Sequence, residues 1–181
     1  MTEKTTLRKF RWFWPWQDDV EEEWLGKMAR EGCHFLSLGS PGIYTFQRGK
    51  PKNTAYRLDY QTSQMKDREA YLKLFHDAGW EHAGKFSTWE YFRKEARAGS
   101  QPEIVTDPKS KIQKFRKVLQ SNVIFLSALI LLGVFGLGSD PAMAGSRSAV
   151  FSVLAIILVF YSIEFVGIFR RINRLQGTAR K

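Results

Sequence analysis

Two apolar runs dominate the pattern of hydrophobic and polar positions, residues 118–138 and 148–169. The first carries no charge and the second only Glu164, so each meets the roughly 20-residue length that a helix needs to cross a bilayer. A short loop, 139–147, joins them and holds one Asp and one Arg. The pattern predicts a transmembrane hairpin at the C-terminal end.

Upstream the periodicity changes. Residues 7–14 (LRKFRWFW) alternate loosely and predict an aromatic strand closed by Pro15. Over 20–31, Val20, Trp24, Leu25 and Met28 fall at helical spacing, with Glu21, Glu22, Glu23 and Lys27 assigned to the outer face and Gly32 to the stop. Strands are expected at 34–38 and 43–48, joined by a Gly-Ser-Pro-Gly turn, and at 55–61. In that third strand Tyr56, Leu58 and Tyr60 share one face, and Arg57 and Asp59 share the other. A second helix over 66–78, with an apolar stripe of Ala70, Tyr71, Leu74 and Phe75, ends at Gly79; strands at 80–85 and 88–94 follow.

The two halves repeat. Trp24-Leu25, Met28 and Gly32 match Tyr71-Leu72, Phe75 and Gly79, while Tyr44 to Arg48 (YTFQR) matches Trp89 to Arg93 (WEYFR). A duplicated βαββ unit describes this most economically. The fold class expected is therefore a cytosolic α+β domain of roughly ferredoxin-like style, with a mostly antiparallel sheet and two helices on one face, followed by the two-helix hairpin. The set Trp24-Leu25-x-x-Met28-Ala29, Gly32, Tyr44-x-Phe46, Tyr56 to Tyr60, Ala78 to Glu81 and Trp89-x-Tyr91-Phe92-Arg93-Lys94 resembles the bacterial family known as domain of unknown function 2812. That resemblance covers about residues 7–95. It implies membrane helices after the domain and brings no activity.

Charge is unevenly placed. Residues 1–100 carry 17 Lys/Arg against 14 Asp/Glu, whereas 101–181 carry 11 against 4. The basic excess thus surrounds the apolar runs, which argues for membrane topology over nucleic-acid binding. Five cations, Lys109, Lys111, Lys114, Arg116 and Lys117, precede the first run; Arg170, Arg171, Arg174, Arg180 and Lys181 follow the second. By the positive-inside rule both termini are cytoplasmic, in a bacterial inner membrane, with Lys109–Lys117 and Arg170–Arg174 against anionic lipid headgroups. Residues 1–11 show no signal-peptide core, and the single cysteine, Cys33, reads as a small buried residue of a reducing compartment. Residues 1–95 form the domain, 96–110 a Gly- and Pro-containing linker, and 111–175 the basic segment with the hairpin.

Candidate chemistry is sparse. No phosphate loop, dinucleotide fingerprint, zincin helix or nucleophile elbow is present, and no catalytic residue, metal or cofactor is expected. Glu164 lies near the inner boundary and Asn122 at a similar depth in the first run, so the two are expected to meet as an intramembrane polar contact. Arg57 and Asp59 read either as a ligand-orienting pair or as a same-face ion pair. Trp12, Trp80 and Trp89 read either as the lining of an aromatic pocket or as core. The function expected is a non-enzymatic membrane protein whose domain binds a small ligand or a protein partner, with self-association left open. An oligomeric transporter or channel subunit, and a membrane-bound enzyme, are the alternatives.

Overall fold

Alternating apolar positions fold into six antiparallel strands in the N-terminal half. The computed structural model describes residues 5–39, 42–61, 67–96, 108–136 and 144–179. It divides into two compact units, Met1–Thr106 and Asp107–Lys181. In the first, β1 (Thr6–Phe10), α1 (Asp18–Arg30), β2 (Cys33–Gly39) and β3 (Ile43–Arg48) precede β4 (Thr54–Tyr60), α2 (Arg68–Asp77), β5 (Glu81–Phe86) and β6 (Trp89–Glu95). A single 3-10 turn, Pro15–Gln17, leads into α1.

The strands form two three-stranded sheets with the same internal order, β1-β3-β2 and β4-β6-β5. The duplicated unit seen in the sequence therefore has a topological counterpart. Both helices end at a glycine in the left-handed region, Gly32 at φ 78° and Gly79 at φ 79°. The strand after each helix carries a bulge, between Phe35 and Ser37 in β2 and between His82 and Gly84 in β5. The α+β class stands, and its arrangement differs from the expected single sheet with both helices on one face. Phe35 of the first sheet stacks on Tyr91 of the second, ring centroids 4.9 Å apart. The aromatic faces thus meet in one core with Leu25, Met28 and Ala29 of α1.

The helices divide between faces. Tyr91 and Phe92 are consecutive, so they point to opposite sides of β6. Tyr91 meets α1 through Glu21, whereas Phe92 meets α2, with Phe75 stacked at 3.9 Å and Tyr71 at 5.9 Å. The α2 stripe is rotated from the expected one: Leu74 is 68% exposed, and Tyr71, Leu72 and Phe75 are half-buried. Strand β1 ends at Phe10, short of the expected residue 14, because its partner β3 begins at Ile43, which pairs with Phe10. Cys33 is buried in the core.

In the second unit the apolar runs form α3 (Pro108–Gly136) and α4 (Ala144–Ala179), which pack together. Both are long and apolar enough to cross a membrane, over Ile112–Gly133 and Ala149–Gly177. Only 11% of the first span and 6% of the second is buried. An apolar helix at the core of a soluble protein hides its side chains; here Ile124, Phe125, Leu132, Ile156 and Val159 are exposed. The loop expected at 139–147 and most of the linker expected at 96–110 lie outside the described residues.

Candidate functional site: a basic cleft between the repeats

A cleft of about 360 Å³ opens where the two βαββ units adjoin. Its first side comes from the start of β2 and the end of β3 with the residues after it: His34, Gln47, Arg48, Gly49 and Lys52. Its second comes from Tyr56 of β4, Glu81 at the start of β5, and Arg93, Lys94 and Glu95 at the end of β6. Arg48 and Arg93, the matching arginines of the repeated YTFQR and WEYFR stretches, thus line one cavity.

The lining holds four basic side chains, Arg48, Lys52, Arg93 and Lys94, against two carboxylates, Glu81 and Glu95. Arg93 donates to Glu81 through Nε at 2.9 Å and through a second, shorter bond from its terminal nitrogen. That hydrogen bond, helped by the Arg93 charge and opposed by partial burial, holds the Glu81 carboxyl below the usual carboxylate range. Lys52 pairs with Glu95 at 2.9 Å, and Lys94 donates to the carbonyl of Ala78 at 2.8 Å. The His34 Nε2 lies 3.0 Å from the Lys50 carbonyl. Arg48 is exposed, and its guanidinium makes no ion pair among the described residues. Together these groups present donors and a net positive charge on a concave surface, the chemistry that receives a small anion.

The residues singled out by sequence lie elsewhere. Arg57 and Asp59 are half-buried on the side of β4 that faces α2, away from any open sheet face. Arg57 donates to Glu22 of α1 at 3.1 Å, and Asp59 accepts from Tyr71 at 2.9 Å and Gln61 at 2.7 Å. Both therefore tie helices to the second sheet. Trp12 is 49% exposed on the segment after β1. Trp80 is buried beneath Arg57 and Lys94, with the cations 5.8 and 5.9 Å from its ring. Trp89 packs on Tyr60 at the other end of β6. The three tryptophans do not converge on one pocket.

Asn122 and Glu164 do come together: the Asn122 amide donates to Glu164 Oε1 at 2.8 Å between α3 and α4. Beside them runs an apolar groove of about 450 Å³ lined by Leu119, Val123, Leu126, Tyr161 and Phe165.

Two charged clusters escaped the sequence reading. Glu21, assigned there to the outer face of α1, is buried and accepts from the hydroxyls of Tyr44 at 2.6 Å and Tyr91 at 2.8 Å. Burial pushes its carboxyl above the ordinary value, against the pull of the two phenols. Burial, with the Glu21 charge beside them, raises both tyrosines as well, so they remain donors. Glu90, fully buried, is met by His82 at 2.7 Å and by Arg68 and Lys85, each at 3.4 Å. Burial would raise its pKa, but the His82 hydrogen bond and Arg68 overcome that and leave it below the usual range. The adjoining His82 and Glu81 are thus committed to separate partners, and among the described residues no three acidic, His or Cys groups are placed to hold a metal ion.

Residues 17–129 match the model of a family described as protein of unknown function (DUF2812). The match runs from the start of α1 into α3, so the family's pattern takes in most of the first candidate span. No curated protein and no solved structure matches the chain.

Proposed function

The chain belongs to the DUF2812 family, and from that premise we propose that it is a membrane-anchored binding protein whose α+β domain takes a small anionic molecule in the cleft between its repeats. The observation that carries this reading is the convergence of Arg48, Lys52, Arg93 and Lys94 on one cavity of about 360 Å³. That volume suits a small polyanion such as a di- or tricarboxylate or a phosphorylated metabolite. Glu81 and Glu95 fit the same reading, because they hold Arg93 and Lys52 in place and a competing anion displaces them as it binds. The two apolar helices supply the anchor, in an orientation with both termini cytoplasmic, which the flanking cations favour.

The test is isothermal titration of the purified full chain in detergent against inorganic phosphate, citrate and nucleoside mono- and diphosphates. At least one is expected to bind, with an affinity that falls at least tenfold in Arg48→Ala and weakens with salt. If none binds, or if Arg48→Ala and Arg93→Ala leave the affinity unchanged, the reading is overturned.

A further inference from the structure

The segment between β1 and α1 presents aromatic rings to solvent on a domain that has ample core to hide them. Phe10 is 70% exposed and Trp12 49%, while Trp14 and Trp16 are half-buried. The rings form a row: Trp12 meets Trp14 edge-on at 6.0 Å, and Trp14 stacks on Trp16 at 5.0 Å. The row is held from beneath. Phe13 points into the core, against Trp24 at 5.6 Å and Tyr44 at 6.2 Å, so its neighbours Trp12 and Trp14 turn outward. The Trp14 backbone N–H donates to Gln17 Oε1 at 3.0 Å, which fixes the turn at Pro15. Arg11 lies over Phe13 and Trp24, 5.0 and 5.1 Å from their ring centroids.

Three cations, Arg8, Lys9 and Arg11, and no carboxylate lie between Thr6 and Gln17; Lys9 turns inward, its Nζ 3.3 Å from the Met28 sulfur, which leaves Arg8 and Arg11 as the exposed ones. Asp18, the next charged residue, is buried, and Asp19 is the first exposed acid. We propose that this strap, Arg8 to Trp16, seats the domain on the surface of an anionic lipid bilayer, with Trp12 and Phe10 entering the interfacial region and the exposed Arg8 and Arg11 meeting headgroup phosphates. Indole rings partition to the boundary between hydrocarbon and water because one edge is apolar and the other donates a hydrogen bond. Cations beside them add attraction to an anionic surface. Only residues 97–111 separate this domain from a candidate membrane span, so the chain itself keeps the strap at high effective concentration near lipid. A soluble partner enjoys no such advantage, and the charge pattern suits lipid better than a neutral protein face.

The experiment uses the full chain in nanodiscs of phosphatidylcholine and phosphatidylglycerol, spin-labelled through Trp12→Cys, with Lys73→Cys on the exposed side of α2 as the reference; Cys33 is buried and stays unlabelled. Oxygen enters lipid and a nickel chelate stays in water. The ratio of oxygen to nickel accessibility is expected to be several-fold higher at position 12 than at 73, and to fall when phosphatidylcholine replaces phosphatidylglycerol. In unlabelled protein, brominated lipids should quench tryptophan fluorescence more in the wild type than in Trp12→Gln. Equal ratios at the two positions, with quenching unaffected by Trp12→Gln, would overturn the proposal. So would low accessibility to both relaxants with spin–spin broadening, which would place a second copy on the strap.

Discussion

Glu21 shows how one side chain can contradict its neighbours. It follows Asp18 and Asp19 and precedes two more glutamates, yet it is buried and accepts two phenolic hydrogen bonds, one from each sheet. Its raised pKa means that the folded chain holds the proton more tightly than the unfolded chain. Stability from this group is therefore full below the ordinary carboxylate range and declines as pH rises toward the raised value. Glu21→Gln keeps an acceptor for both tyrosines and removes the buried charge, so it is expected to match or exceed the wild type at neutral pH and to flatten that decline. Glu21→Ala strands two buried hydroxyls, at a cost of about 1–3 kcal/mol each. Urea unfolding followed by tryptophan fluorescence from mildly acidic to neutral pH checks both. If Glu21→Gln is as damaging as Glu21→Ala, the charge itself is required.

At the scale of elements, α1 shields the edge of β4, an edge that would otherwise offer unpaired backbone groups to another chain. Glu22 accepts the Leu58 N–H at 2.8 Å and the Arg57 guanidinium at 3.1 Å. The approach depends on Gly26, where an added Cβ would sit 3.2 Å from the backbone oxygen of Thr54. Gly26→Leu should lever the helix off the strand, at about 1–3 kcal/mol for an overpacked contact, and expose the β4 edge, read as faster exchange of the Leu58 amide hydrogen. Unchanged exchange at Leu58 would show that α1 does not guard that edge. The elements themselves were legible in the sequence, because period-2 and period-3.6 patterns and stop glycines act locally. Their assembly was not: α1 looked like an ordinary amphipathic helix with Glu21 and Glu22 turned to water, and only the tertiary approach of β3, β4 and β6 gives those carboxylates partners. Arg57 and Asp59 misled for the same reason, since alternation shows that they share a face and not that Glu22 and Tyr71 occupy it. The cleft had one trace in the sequence, the arginine that closes each repeated five-residue stretch, YTFQR and WEYFR. The Asn122–Glu164 contact was readable because in an apolar helix pair each polar group has few alternatives.

For the whole molecule, the decisive contrast lies between two ways of handling apolar surface. The first unit gathers its aromatic residues around Phe35, Phe46 and Tyr91, while α3 and α4 leave most of theirs outward. Such helices are consistent with a lipid environment, and on the reading proposed above the pair returns the chain to the side from which it came. On that reading the side follows from the cations: Lys114, Arg116 and Lys117 precede the apolar part of α3, and Arg170, Arg171 and Arg174 follow that of α4, so by the positive-inside rule both ends of the hairpin are expected to resist translocation. A cysteine at Lys73 in the domain and another in place of Lys181 are therefore expected on the same, cytoplasmic face. With a membrane-impermeant maleimide, neither should react in intact spheroplasts and both should react in inside-out vesicles, Cys33 being buried in either preparation. Labelling of Lys73→Cys in intact spheroplasts would reverse the orientation, and labelling of only one of the two would show that a single helix crosses. With the orientation as expected, the basic cleft faces the compartment that holds phosphorylated metabolites and organic acids, and an anion-binding protein there requires no transport step to meet its ligand.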